Sequence, residues 1–270
     1  MCELLAMSSR IPTTVGLTLG RLALRGGHDG PHRDGWGVAF YEGNDALVLR
    51  EPQAASESEM ARYIEHHTPP SELVISHIRL ATRGERTLQN TQPFQREMGG
   101  RVHIFAHNGD LPGVEEVVGT LPVCFKSIGE TDSERAFCGL LNRIRPVWDD
   151  SDEKVPSLTS RMEIVVEFAT ELSQLGMANF LYSDGSVLFV HGHKRKQKNG
   201  QISPPGLHVL ERTCDRLSAD LSQSGVMLED PCEEMTLVTS VPLSRGNWRP
   251  LEEGEVLAIA NGEVVDQSYI

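Results

Sequence analysis

Positive charge is scarce in this chain. Its 25 Lys and Arg residues face 38 Asp and Glu, which leaves a formal net charge of −13 over 270 residues. Such a surface repels a phosphate backbone, so nucleic acid is not an expected partner. Long apolar runs are also missing. No stretch of about 18 apolar residues occurs, so no membrane-spanning helix is expected. No basic segment followed by an apolar one opens the chain, so no secretory leader is expected either. The five cysteines, at 2, 124, 138, 214 and 232, are odd in number, widely spaced and free of any CxxC pair. That excludes a zinc knuckle and argues for reduced thiols in a cytoplasm, not a disulfide framework. The GxxxxGK[ST] and GxGxxG phosphate-binding patterns are absent, as is any internal repeat. Neither a metal nor a cofactor is expected.

What remains is an ordinary globular composition, 39% hydrophobic and 23% charged. The length suffices for one well-covered domain, and residues 1–270 are read as one. Strands are predicted at Cys2–Met7, Trp36–Tyr41, Leu47–Leu49, Leu73–Ile78, Val102–Ala106, Phe180–Tyr182, Val187–Val190, Leu207–Glu211, Met235–Thr239 and Val256–Ile259. Asp184-Gly185 and Asn261-Gly262 supply hairpin-turn signals. Helices are fewer. Thr131 and Glu134 form a capping-box pattern ahead of Phe137, Leu140, Leu141 and Ile144 at helical spacing. Met162, Val165, Val166, Ala169 and Leu172 make a second stripe. Ser56 and Glu59 open a third helix, to His66. Strands in meander order with helices in separate blocks predict an α+β fold with antiparallel sheets. The polar stretch Trp148–Ser160 reads as an exposed connection. The basic run Lys194–Lys198 reads as a solvated loop tip, and His191 and His193 have no Cys or carboxylate nearby in sequence to complete a metal site.

Chemistry is suggested first by Cys2. Removal of Met1 would leave one residue carrying a thiol and a free α-amine, which are a nucleophile and a base together. Position alone also fits a buried structural cysteine. A lipoprotein cysteine would need an apolar segment before it. Four later segments bear on the choice. Arg25-Gly26-Gly27-His28-Asp29-Gly30, running into His32–Gly37, implies tight turns or close ligand approach. Arg79, among apolar neighbours in Ser76–Gly84, fits either a structural salt bridge or a bidentate grip on a substrate carboxylate. In His107-Asn108-Gly109-Asp110, Asn-Gly is a type I′ turn signal. The Asn108 side-chain amide and the Gly109 N–H could equally donate to one developing oxyanion. Asp132, in Gly129–Glu134, complements a helix dipole or pairs with a substrate ammonium. A papain-like thiol enzyme would need His77 or His107 as partner and lacks the usual surroundings of its cysteine.

In this order, a second-position Cys, RGG-DG, HIRLATRG, QNTQPF, HNGD and GETDSE resemble the class II glutamine amidotransferases, N-terminal nucleophile enzymes, and within them the stand-alone YafJ-like group. The chain is also similar to the amidohydrolases of ergothioneine synthesis and glutathione degradation. The resemblance implies a four-layer αββα sandwich of two antiparallel sheets. It implies Cys2 as nucleophile, Asn108 and Gly109 as oxyanion hole, Arg79 on the α-carboxylate and Asp132 on the α-amine of a glutamyl group, with Thr82 in support. The substrate would be glutamine or a γ-glutamyl compound, with glutamate as product. Ammonia would be released or passed to a separate synthase subunit, since no synthase domain is evident. A non-catalytic binding protein on the same fold is the alternative. Three positions depart from the better-known members: Leu80 and Arg83 replace the Trp and His of Arg-Trp-Ala-Thr-His-Gly, and Gln92 stands where a His is common.

Overall fold

The computed structural model describes residues 2–15, 32–82, 84–119, 124–151, 154–212 and 234–270. The glycine-rich segment 25–30 and the positions of Met1, Arg83, Cys214 and Cys232 lie outside the described residues.

Two antiparallel sheets carry the molecule. The first holds seven strands. Its centre is β1 (Glu3–Thr13), flanked on one side by β4 (Ser71–Ile78), β2 (Trp36–Glu42) and β3 (Asp45–Glu51). On the other side follow β12 (Met235–Thr239), β11 (His208–Arg212) and β13 (Arg249–Pro250). The second sheet has six strands. Their spatial order is β15 (Glu263–Tyr269), β14 (Glu255–Ala260), β8 (Leu188–Gly192), β7 (Met177–Ser183), β6 (Arg101–Asp110) and β5 (Phe94–Met98). A small ladder joins β9 (Arg195–Lys196) to β10 (Ile202–Ser203). The helices are α1 (Glu59–His66), α2 (Val114–Val118), α3 (Asp132–Asp149) and α4 (Leu158–Leu175).

Period-two alternation divides the apolar side chains among three interfaces. On β1, Leu4 and Ala6 face the second sheet, and Leu5 and Met7 face the layer of Ala55 and Ile64. On β6, Ile104 and Ala106 meet the first sheet, while Phe105 packs against Phe137 of α3. Helix, sheet, sheet, helix is therefore the layer order, the expected αββα sandwich.

Local differences from the sequence reading have physical causes. Asn108-Gly109 is no turn; both lie inside β6, paired to Asn179 and Ala178. The cap of α1 is Ser58, not Ser56: its hydroxyl accepts from the Ala61 N–H at 2.9 Å. Thr131 caps α3 through the Glu134 N–H, as expected, but the Glu134 carboxylate turns away to accept from the Ile128 and Gly129 N–H groups and to meet Arg96. Trp148 is not in an exposed connection; it lies buried on α3 with its ring edge-on to His103. The basic run is not wholly solvated, because Arg195 is buried against Glu3. The two hairpin signals hold: Asp184-Gly185 joins β7 to β8, and Asn261 and Gly262 both take positive φ, 52° and 85°, between β14 and β15.

Candidate active site

Cys2 immediately precedes the central strand of the first sheet. The register Glu3↔Ile78 sets it beside the end of β4, where the chain leaves the sheet. There the Leu80 N–H donates to Cys2 Sγ at 3.4 Å. Burial pushes the thiol pKa up, against the Leu80 hydrogen bond and the Arg79 charge, which pull it down. The thiol is thus protonated at neutral pH, and attack needs a base to take its proton.

Two histidines are near enough in the fold to be considered. Both ring nitrogens of His107 are engaged, Nδ1 with Ser133 Oγ at 2.9 Å and Nε2 with the Met177 carbonyl at 3.1 Å. His77 is fully buried with neither ring nitrogen partnered among the described residues, and burial takes its pKa down to about 3. Neither forms a thiol–imidazole pair of the papain-like kind with Cys2 among the described residues.

One cleft gathers Cys2, Arg79, Thr82, Gly109 and Asp132. It is narrow, with a free volume of about 30 Å³. Arg79, 3% exposed, donates to the carbonyls of Glu85 at 2.9 Å and Gly84 at 3.1 Å, which ties the rim loop to the cleft floor. Asp132 opens α3, and its carboxylate accepts from the Leu111 and Ser133 N–H groups, each at 2.8 Å. Thr82 stands exposed at the mouth. Gly109 has a steric requirement: a Cβ there would sit 1.6 Å from the Met177 carbonyl oxygen.

Asn108 takes a different position, between the sheets and outside the lining of this cleft. Its side-chain amide donates to the Cys2 carbonyl at 2.7 Å and to Ser240 Oγ at 3.3 Å. Its buried Oδ1 has no partner among the described residues.

Two supporting residues, Ser240 and Asn179, escaped the sequence reading, and Gln92, noted there only as a departure from the common His, supports the site as well. Ser240 Oγ also accepts from the Leu4 N–H at 2.9 Å, holding the start of β1. Asn179 donates to the Asn108 carbonyl at 3.0 Å and accepts from the His193 N–H at 2.8 Å. Gln92 brackets the His107 backbone, accepting from its N–H at 2.6 Å and donating to its carbonyl at 3.2 Å. An available signal was Asn179 itself, an amide inside an apolar strand run that demands partners. Among the described residues, no group of His, Cys, Asp or Glu could hold a metal ion.

A thiol at the start of the central strand of an αββα sandwich is the arrangement of the N-terminal nucleophile fold. The family follows from comparison: residues 1–269 match the model of the class-II glutamine amidotransferases, and the chain belongs to that family. It is 35% identical over 272 residues to YafJ of Escherichia coli (strain K12), named for an inferred glutamine amidotransferase activity, covering 98% of this chain and 100% of the relative. A Pseudomonas aeruginosa crystal structure, described as a predicted glutamine amidotransferase, superposes with a TM-score of 0.71 at 34% identity, covering 98% of this chain and 100% of the other. The glutamine phosphoribosylpyrophosphate amidotransferase of Bacillus subtilis shares the fold, with a TM-score of 0.61 at 16% identity, covering 99% of this chain and 49% of the larger protein.

Proposed function

We propose that the protein hydrolyses the side-chain amide of glutamine, or of a γ-glutamyl compound, through a thioester on Cys2. The observation that carries this reading is the convergence of a thiol, a buried guanidinium, a buried carboxylate and Gly109 on one small cleft. Loss of Met1 gives Cys2 an α-amine with a pKa of roughly 7.7–8.0, a base near neutrality. That amine takes the thiol proton as Sγ bonds to the amide carbon. The oxyanion receives the Gly109 N–H and one N–H of Asn108, which gives up its long 3.3 Å contact to Ser240. The C–N bond then breaks, and the leaving amine departs with the proton held by the α-amine. Water adds to the thioester carbon, sulfur leaves and regains a proton, and glutamate is released. Arg79 holds the α-carboxylate, Asp132 the α-ammonium, and Thr82 adds a contact at the mouth.

We read residues 1–270 as one amidotransferase domain. In support, the chain matches YafJ over that relative's full length but covers only 49% of the phosphoribosylpyrophosphate enzyme.

The test combines N-terminal mass spectrometry with a glutamate-release assay on wild type and Cys2→Ala. Wild type should lack Met1 and release glutamate; the variant should fold with an unchanged melting temperature and release none. An active wild type that retains Met1, or an active Cys2→Ala, would sink the mechanism.

A further inference from the structure

The basic run Lys194–Lys198 plays no part in the chemistry above. Its backbone is nevertheless well held. The Gln197 N–H donates to the Gln201 carbonyl at 2.7 Å. The Gln197 side chain donates to the carbonyls of Ser203 at 2.7 Å and Pro205 at 3.1 Å. This hairpin lines a cleft of about 540 Å³ together with His208, Val241 and Pro242. The volume lies within the roughly 300–1,000 Å³ usual for small-molecule sites.

The lining has a definite charge. Lys196 and Lys198 contribute cations, the charge of Arg195 is met by Glu3 behind it, and no Asp or Glu lines the cleft among the described residues. That is a local reversal in a chain of net charge −13. His208 adds a buried ring Nδ1 with no hydrogen-bond partner among the described residues. Arg195 is fixed as the floor: it donates to the Ser240 carbonyl at 2.6 Å and faces the Glu3 carboxylate at 3.4 Å.

Those two contacts place the cleft. Glu3 follows Cys2 in the chain, and Ser240 is the hydroxyl that Asn108 and the Leu4 N–H share. The thiol cleft lies on the β4 side of β1, and the basic cleft lies on the β12 side at the same end of the sheet. We propose that the basic cleft binds a small molecule bearing a carboxylate or phosphate group, held by Lys196, Lys198 and His208. Two sources share this chemistry: the leaving-amine portion of the amide substrate, and a separate anionic effector. Only the first rests on the hydrolysis reading.

The experiment uses the full chain and the double variant Lys196→Ala/Lys198→Ala. Calorimetric titration with inorganic phosphate should show binding that the variant weakens about tenfold. Kinetics with γ-glutamylglycine, whose leaving amine carries a carboxylate, and with γ-glutamylmethylamide, whose leaving amine is neutral, separate the sources. If the leaving group occupies the cleft, the variant raises KM for the first substrate about tenfold and leaves the second unchanged. If an effector occupies it, phosphate binding weakens and the two substrates still respond alike. Phosphate binding that is absent from wild type, or unchanged in the variant, together with parallel KM values, overturns the site. A wild type that binds phosphate in a variant-sensitive way and releases no glutamate keeps the site and overturns the hydrolysis reading instead.

Discussion

The residues of the thiol cleft are held by backbone groups more than by one another. Arg79 spends its guanidinium on the carbonyls of Gly84 and Glu85, and Asp132 spends its carboxylate on two N–H groups. A substrate carboxylate reaching Arg79 must compete with those carbonyls. Arg79→Lys removes the planar fork and should raise KM for glutamine by roughly tenfold or more, with a smaller effect on kcat. Steady-state kinetics checks this, and an unchanged KM would detach Arg79 from the carboxylate. Asn108→Ala should lower kcat by about 10²–10³ if its amide supports the oxyanion; an unchanged kcat would take it out of the oxyanion hole. Cys2, Arg79, Gly109 and Asp132 could be singled out from sequence because their chemistry is written in residue type and local motif. Ser240 and Asn179 could not, because each acts by satisfying backbone groups far away in the chain, Ser240 at Leu4 and Asn179 at Asn108.

Elements were legible where pattern and length were both strong. The stripe from Met162 to Leu172 became α4, and the capping signal at Thr131 became the start of α3. Several short elements were missed, β5, β9, β10 and α2 among them, and two show why. β5 reads Phe-Gln-Arg-Glu-Met, an edge strand whose central residues are polar, and α2 spans only five residues, too few to show a period. The end of α3 was misjudged because the charges from Asp149 to Glu153 suggest an exposed connection, whereas Trp148 lies buried and the helix runs on to Asp149. One pair ties helix to sheet: Arg161 near the start of α4 meets Asp184 in the β7–β8 turn, both buried. The Asp184 carboxyl is held below its ordinary pKa by Arg161 and His103, which overcome the opposing effect of burial. Arg161→Met strands that carboxylate and should cost about 3–5 kcal/mol in urea unfolding. Pairing it with Asp184→Asn should recover part of the loss; a double variant whose cost is the sum of the two single costs would show that the pair is not coupled.

At the scale of the whole molecule, several imidazoles are buried uncharged. Burial is the leading cause that takes the pKa of His77 and His191 down to about 3 and that of His103 to about 4. In the unfolded chain each returns to about 6.5 and binds a proton below that pH. The stability they lend is therefore full above pH 6.5 and shrinks as pH falls toward 4, by about 1.4 kcal/mol per pH unit for each group. Denaturant unfolding at pH 7, 6 and 5 should show a steep decline that starts above the carboxylate range; a flat profile would mean that these rings titrate freely in the folded state. The sheet order carries a further consequence. β1 is the first strand in the chain, yet one of its edges pairs with β12, at residues 235–239. A ribosome adding about 5–20 residues per second takes roughly 10–45 s to make the chain between them. Throughout that interval the nascent polypeptide presents an unzipped edge beside its own first residues, a template for a neighbouring chain on the same message. Premature stops before residue 235 would make that exposure permanent, so such fragments should partition to the insoluble fraction of the cell rather than persist as half-built enzymes.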